Sequence, residues 1–336
     1  MQIRNAATSF MLTMCLVLGV GSLASAQLRL GVVGGSLHDE NRGVINFPAV
    51  GWNEQLAEAG IVDMGVYEPD PYVRWEPQYD GYSFNWARGG ASAMSPTFRD
   101  LLPDDPRFVD MVPFAVQIEG LAQQIQDGDI DVAFIGVGAN DITIRLLLGG
   151  TLSGPDFEAF AAQLVDAIFV AVTAFKQAGD VPIMVAQLPA AIYQNDERAA
   201  ATAFINSLIH ARAEEEGVPV VALFGFLDNP FRTNRDGDVR VGRFRIPSDS
   251  VASPDDLVPV DAEEATGPCG LISEMCSTRE FNLNFLLDDA VHPTTVIHGL
   301  MANQVIKTLR RAYHIPLRRL TDREILSTAG LTCHGW

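Results

Sequence analysis

The sequence is poor in cysteine, in positive charge and, beyond its first 26 residues, in long apolar runs. It has four cysteines among 336 residues, with no Cys-x-x-Cys pair and no histidine at ligand spacing beside them, which argues against a metal site. Lys and Arg number 23 against 42 Asp and Glu, so the net charge is −19. Nucleic acids and anionic membrane surfaces are therefore disfavoured as partners, because phosphate contacts need clustered basic side chains.

The apolar stretch at the start of the chain has the pattern of a secretory signal peptide. Arg4 supplies a short positive region, Phe10 to Val20 an apolar core, and Ala24-Ser25-Ala26 a small-residue cleavage site. The apolar core is too short to cross a bilayer, and no later apolar run is long enough either. We expect cleavage after Ala26, export to the periplasm or the medium, and no transmembrane anchor.

The remaining cysteines have few roles open to them in an exported protein. Cys269 and Cys276 lie in an irregular stretch, where they could close a small disulfide. Cys333 would then be free or paired between molecules.

Apolar runs and helical periodicity alternate along residues 27–336, which predicts a single α/β domain with a mostly parallel sheet covered on both faces. We expect it to be monomeric. From about residue 228 to 280 the periodicity is lost, so an irregular insertion is predicted, in which Val239 to Ile246 forms half of a hairpin turned by Asp236-Gly237. The main predicted strands are 28–34, 61–67, 132–137, 181–188 and 218–223, and the main predicted helices are 50–60, 112–127, 155–178, 197–216, 296–312 and 321–328.

The first predicted strand ends in Gly34-Gly35-Ser36. Paired glycines allow a sharp turn, and ligands of open α/β sheets bind at the carboxyl ends of strands. A lone serine there is more often a polar turn residue, so a catalytic role needs a base and an orienting acid. His292 and Asp289, three residues apart in a loop braced by Pro293, can supply both.

Acyl transfer also needs hydrogen-bond donors for the oxygen on which negative charge develops. The backbone N–H of Ser36, the backbone N–H of Gly90 and the side-chain amide of Asn140 are candidates. Each lies at or just beyond the end of a predicted strand. These donors would meet the serine at one edge of the sheet.

Four blocks of the chain resemble those of the SGNH or GDSL hydrolases, which include GDSL-like lipases and esterases. The resemblance implies a flavodoxin-like three-layer α/β/α sandwich, with Ser36 as nucleophile, His292 as base and Asp289 as its orienting acid. It also implies that Ser36, Gly90 and Asn140 form the oxyanion hole. The blocks are Gly34-Gly35-Ser36-Leu37-His38-Asp39, Asn85-Trp86-Ala87-Arg88-Gly89-Gly90-Ala91-Ser92, Gly138-Ala139-Asn140-Asp141 and Asp289-Ala290-Val291-His292-Pro293-Thr294.

The chain departs from the family pattern before the nucleophile, where Gly35 replaces the usual aspartate. Any support that the aspartate gave to this turn must come from elsewhere, for which Asp39 is a candidate. In the second block, Gly89 is an alternative to Gly90 as oxyanion donor.

Two further histidines have structural explanations. His298 is predicted to pack within the last long helix. His38 is predicted to lie on the solvent side of its loop, with a place lining the cleft as the alternative.

We expect a secreted serine esterase or lipase-type hydrolase that cleaves carboxylic esters through an acyl-enzyme, without a metal or organic cofactor. Its substrate is left open among acyl lipids, acylated carbohydrates and small esters, since the loops at 68–80 and 228–276 carry no readable pattern. A secreted carbohydrate- or lipid-binding protein with the same fold but little turnover is the alternative that Gly35 suggests. A thioesterase or peptidase is a closer alternative. Aromatic side chains that could stack on sugars, shield an acyl chain or pack their loop are Tyr67, Tyr72, Trp75 and Tyr79.

Overall fold

The computed structural model describes residues 27–40, 49–68, 81–105, 108, 111–189, 195–253, 257–259, 275–277, 281–287 and 289–331. The predicted signal peptide and three of the loop aromatics lie outside these residues. So do Cys269 and Cys333, and only the backbone of Cys276 is described. The disulfide therefore stays a prediction.

The described elements alternate between strands and helices along the chain. The strands are β1 (Leu28–Gly34), β2 (Val62–Asp63), β3 (Tyr67–Glu68), β4 (Gly81–Tyr82), β5 (Val132–Gly136), β6 (Ile183–Ala186), β7 (Val220–Val221), β8 (Val239–Val241), β9 (Phe244–Ile246), β10 (Leu257–Pro259) and β11 (Met275–Ser277). The helices are α1 (Trp52–Glu58), α2 (Phe98–Leu101), α3 (Phe114–Gln126), α4 (Ala139–Leu147), α5 (Pro155–Ala178), α6 (Asp196–Glu216), α7 (Thr295–Ala312) and α8 (Asp322–Thr328), with a 3₁₀ turn at Phe281–Leu283.

Five of these strands form one parallel sheet in the order β2-β1-β5-β6-β7. Numbered along the chain, this is the 2-1-3-4-5 order of flavodoxin-like folds, in which the direction of winding reverses between β1 and β5. The crevice at such a reversal is where open α/β sheets bind ligands. Ser36 follows β1 and Asn140 follows β5, so both flank this crevice.

Helices cover both faces of the sheet, as predicted. Successive residues of β1 point to opposite faces: Val32 packs with α1 and α7, whereas Val33 packs with α3 and α5. Both side chains are fully buried. The result is a three-layer α/β/α sandwich with one apolar core on each side of the sheet.

Helix α5 has the length and composition to cross a membrane, so the expectation that no apolar run after the signal peptide is long enough is wrong. It packs against α3, α6 and β5, and its Leu164, Ile168 and Phe175 are buried in the core. Proline at its first turn and Gly179 after its end set its boundaries locally. Its apolar character is that of a core helix between two neighbours.

The irregular insertion contains more order than predicted. Residues 239–246 are a complete hairpin of β8 and β9, turned at Gly242 and Arg243, and not one half of a hairpin. Asp236-Gly237 does reverse the chain, but it joins β8 to Thr233 through a single bridge. The reason is that Gly242 adopts a left-handed φ of 56°, which suits a two-residue hairpin turn.

Candidate active site

Ser36 lies on a tight turn directly after β1. Gly35 N–H donates to Gly136 O at 3.0 Å, and His38 N–H donates back to Gly35 O at 3.0 Å. A Cβ atom on Gly34 would lie 2.3 Å from Gly136 O, so only glycine fits where β1 and β5 approach. The turn places the Ser36 hydroxyl at the carboxyl edge of the sheet.

His292 and Asp289 lie beside Ser36. His292 Nε2 is 2.7 Å from Ser36 Oγ, and His292 Nδ1 is 2.5 Å from Asp289 Oδ2. The other carboxylate oxygen of Asp289 accepts the backbone N–H groups of Val291 and His292, both at 2.9 Å. The Asp-x-x-His loop thus folds back on itself, and a chain of polar contacts runs from carboxylate to imidazole to hydroxyl.

The ionisation of Asp289 decides which nitrogen of His292 carries the proton. Burial opposes ionisation, but the hydrogen bond and charge of His292, with the N–H donors of His292 and Val291, hold the pKa of Asp289 below its usual value. An ionised carboxylate only accepts hydrogen bonds, so in the neutral imidazole the proton lies on Nδ1. Nε2 then carries the lone pair that faces Ser36 Oγ.

The second sequence block joins the nucleophile turn through Asp39. Gly89 N–H donates to Asp39 Oδ2 at 2.5 Å, and Arg88 lies 3.9 Å from the other carboxylate oxygen. Asp39 therefore links the nucleophile turn to the second block. The same bond engages the amide of Gly89, which favours Gly90 as an oxyanion donor.

The third block holds the same loop from the other side. Asn140 Nδ2 donates to Ala91 O at 2.8 Å, and its amide carries a second N–H that this bond does not use. The Asp141 carboxylate accepts the N–H groups of Ala93 and Met94 at 2.9 Å each. Burial raises the pKa of Asp141 to about 7, against these hydrogen bonds, which lower it. The contacts of Asp141 with Ala93 and Met94 could not be predicted from the sequence, since they join two loops that meet only in the fold.

A small pocket opens beside Ser36 at the carboxyl ends of β1, β5 and β6. Its volume is ≈ 30 Å³, and Ser36 and Asn140 lie in its wall. Much of the remaining wall is glycine or alanine, with Leu188 and Pro189 at one side. This is far below the roughly 300–1,000 Å³ of sites for drug-sized ligands.

His38 is not on the solvent side of its loop, so that prediction is wrong. It is 3 % exposed, its ring packs against Phe134, and its Nδ1 accepts a hydrogen bond from Trp52 Nε1 at 3.0 Å. A Cβ atom on Gly136 would lie 2.1 Å from His38 Nε2, so glycine at that position makes the space for the ring. His38 also lines the pocket beside Ser36, which was the alternative from the sequence.

His298 is buried on α7, as predicted for a helix-packing residue. Burial lowers the pKa of His38 to about 3, and burial together with the charges of His292 and His38 lowers the pKa of His298 to about 3. Both imidazoles are therefore neutral in the folded chain across the mildly acidic range. In the unfolded chain they take up protons below their ordinary pKa near 6.5.

These two histidines predict a loss of stability in mild acid. Because their folded pKa values are depressed, their contribution is complete above pH 6.5 and is lost as the pH falls towards 3. At pH 5 each should cost about 2 kcal/mol of unfolding free energy relative to pH 8. Urea unfolding at both pH values measures this, and between pH 8 and pH 5 the unfolding free energy of His298→Leu should fall by about 2 kcal/mol less than that of the parent chain. An equal pH dependence in the variant and the parent chain would contradict the assignment.

The described residues contain no group of three His, Cys, Asp or Glu side chains arranged to hold a metal ion. Acyl transfer requires a nucleophile, a base within hydrogen-bond reach of it, and N–H donors nearby. Ser36 and Asn140 line the pocket, and His292 contacts Ser36 Oγ.

The chain is similar to known proteins. A family model described as GDSL-like Lipase/Acylhydrolase matches residues 30–305, a span that holds all four sequence blocks. Two of the solved structures that are similar to the chain are described below, and none of the curated proteins matches it. One is a member of the lipolytic G-D-S-L family from Veillonella parvula DSM 2008, with 13% identity, a TM-score of 0.39 and coverage of 84% of this chain and 99% of that chain. The other is LAE5, an alpha/beta hydrolase enzyme from the metagenome of Lake Arreo, Spain, with 14% identity, a TM-score of 0.40 and coverage of 84% and 95%.

Proposed function

The chain belongs to the family of GDSL-like lipases and acylhydrolases, and from that premise we propose that it is an exported serine esterase working through a covalent acyl-enzyme. The observation that supports this proposal is a pair of contacts: His292 lies 2.5 Å from Asp289 through Nδ1 and 2.7 Å from Ser36 Oγ through Nε2. Family membership supports hydrolysis of acyl compounds, and the residue roles are our proposal. Export rests on the signal-peptide pattern of residues 1–26.

In the first half of the reaction, Ser36 Oγ attacks the ester carbonyl while His292 Nε2 takes the hydroxyl proton. The new bond joins Oγ to the acyl carbon, and the C–O bond to the alcohol then breaks. His292 returns its proton to the leaving alcohol oxygen. Asp289 stays ionised and stabilises the imidazolium that forms between the two steps.

In the second half, water replaces the alcohol. His292 takes one proton from the water as its oxygen attacks the acyl carbon, and returns that proton to Ser36 Oγ as the acid leaves. One ester and one water give one acid and one alcohol, so neither a metal nor an organic cofactor is needed to balance the reaction.

Negative charge develops on the carbonyl oxygen in both halves. The N–H groups of Ser36 and Gly90 and the second amide N–H of Asn140 are our proposed donors to it. The bond that Asn140 donates to Ala91 O, and those that Ala93 and Met94 donate to Asp141, hold the Asn140 amide and the loop after Gly90 in place before substrate arrives. Such pre-positioned dipoles lower the barrier without reorganising during the reaction.

Replacing Asn140 by alanine should lower kcat by about 100-fold or more. The KM should change little, because the lost hydrogen bond strengthens only as the oxyanion forms. Steady-state kinetics with p-nitrophenyl acetate separates the two parameters, and thermal unfolding checks that the loop around Ala91 is intact. A variant with unchanged kcat would remove Asn140 from the proposed oxyanion hole.

The size of the pocket beside Ser36 supports short acyl groups as substrates. An acetyl group on Ser36 Oγ would place its methyl against the glycine and alanine wall, whereas a long chain exceeds the ≈ 30 Å³ available. We therefore propose acetyl esters, including acetylated carbohydrates, over long-chain lipids.

A series of p-nitrophenyl esters tests both the activity and this preference. We expect kcat/KM for the acetate to exceed that for the octanoate by at least about 10-fold, since one methylene misfit is worth roughly 1–3 kcal/mol in a tight pocket. No hydrolysis of any ester in the series would overturn the esterase proposal. Faster hydrolysis of the octanoate would overturn only the short-acyl preference.

A further inference from the structure

A groove of ≈ 530 Å³ lies beside the β8–β9 hairpin, on a part of the chain that the proposed reaction does not use. Its lining is basic and aromatic, in a protein whose net charge is −19. The lining residues are Phe231, Arg232, Arg240, Gly242, Arg243 and Asp322.

The inner face of the hairpin is firmly held. Val239, Val241 and Ile246 are fully buried in the same core as α7 and α8. Gly242 N–H, in the hairpin turn, donates to Asp322 Oδ2 at 2.8 Å. The groove wall is therefore a rigid platform, and the side chains that point outwards start from fixed backbone positions.

Two like charges lie directly opposite each other on the outer face of this hairpin. Arg240 pairs with Arg245 in the β8–β9 register, and both side chains are exposed. Neither has an ion-pair partner among the residues that the structure describes. Like charges in this position destabilise an antiparallel pair, and a bound anion would relieve that repulsion.

The neighbouring charges leave the groove positive on balance. Arg232 is paired with Asp322 at 2.6 Å and also donates to Arg240 O at 3.1 Å, which ties the hairpin to the segment before it. The carboxylate of Asp322 is thereby used within the wall. Arg240, on the hairpin itself, is a further cation of the lining, and its Nε donates to Gly242 O at 3.1 Å.

Phe231 adds a second, independent feature. It is 89 % exposed, although a large apolar side chain gains free energy from burial. A flat exposed ring beside planar guanidinium groups suits a sugar ring, whose C–H face packs on the aromatic ring while its acidic group meets an arginine. One apolar side chain in the lining is too little for insertion into a lipid surface.

We propose that an acidic polysaccharide binds along this groove and across the hairpin, with its uronate carboxylates paired with Arg240 of the lining and with Arg245 opposite it on β9, while Phe231 packs under a sugar ring. Guanidinium groups bind carboxylates through two parallel hydrogen bonds, which gives the pairing its direction. This inference does not rest on the proposed esterase activity, because no residue of the groove belongs to the Ser36 site.

The test uses the full mature chain and polygalacturonate as probe, with binding followed by affinity electrophoresis and calorimetry. We expect R240Q/R245Q to weaken binding at least 10-fold, Phe231→Ala to weaken it severalfold, and the salt dependence of the double variant to be shallower. R310Q/R311Q is the matched control, since it also removes two positive charges, but from the exposed end of α7. It should change binding less than twofold. A neutral galactomannan should not bind.

The outcomes separate this proposal from simpler explanations. Equal weakening in R240Q/R245Q and R310Q/R311Q would mean unspecific attraction, and binding to anionic phosphatidylglycerol vesicles without binding to polygalacturonate would mean a lipid surface. Either result, or no binding of polygalacturonate by the parent chain, overturns the proposal. All four proteins should hydrolyse p-nitrophenyl acetate equally, and the binding result stands whether or not that activity is found.

Discussion

Replacing Ser36 by alanine should lower kcat/KM for p-nitrophenyl acetate by roughly 10⁴-fold or more. In the proposed reaction the hydroxyl oxygen forms the bond to the acyl carbon, and it lies 2.7 Å from the imidazole nitrogen that would take its proton. Without it, only the N–H donors and the binding of substrate are left to accelerate attack by water. The binding of a non-hydrolysed ester analogue should change little, because the variant loses one oxygen atom and no charge.

The control for this prediction is Ser207→Ala, which removes another serine hydroxyl, from the exposed face of α6. It should keep full activity. Thermal unfolding should show that both variants are folded. If Ser36→Ala kept more than about a tenth of the parent activity, Ser36 would not be the nucleophile.

His292→Ala should lower kcat/KM about as much as Ser36→Ala does, and the double variant should be no worse than either single one. A nucleophile and its base act as a unit, so removing either disables the same step and the effects do not multiply. Independent contributions would instead give a double loss equal to the product. The double-mutant cycle in steady-state kinetics distinguishes the two results.

His314→Asn is the matched control for the histidine. His314 is exposed and has a φ of 57°, a left-handed conformation that asparagine tolerates well. It should keep parent activity and stability. A strong loss in His314→Asn, or a His292→Ala variant with only a small loss, would place the base elsewhere.

The sequence predicted those elements whose ends are set by neighbouring residues. Helix α5 begins and ends where Pro155 and Gly179 indicate. Strands β6 and β7 are shorter than their apolar runs, because only the paired part of a run counts as strand and the rest leads into loops. Helix α4 was missed, since Asn140 and Asp141 suggested a loop by composition although they lie in the first turn of a helix.

Within the site, the sequence indicated the residues to which we assign catalytic roles, but not the residues that hold them in position. Asp289 and His292 are close in sequence, so their contact could be predicted from the loop. The bond from Asp39 to Gly89 and the burial of His38 over Gly136 depend on segments that meet only when β1 and β5 pair. The register that places Arg240 opposite Arg245 could not be predicted for the same reason. The sequence prediction placed the hairpin turn too early, at Asp236-Gly237.

Labelling with a fluorophosphonate tests the central claim most directly, because this reagent reacts far faster with a serine that a neighbouring base has activated than with an ordinary hydroxyl. We predict that peptide mass spectrometry will find the phosphonyl group on Ser36, that esterase activity will disappear in step with the label, and that Ser36→Ala will not be labelled. A label on a different residue, or esterase activity that persists after Ser36 is fully modified, would contradict the account.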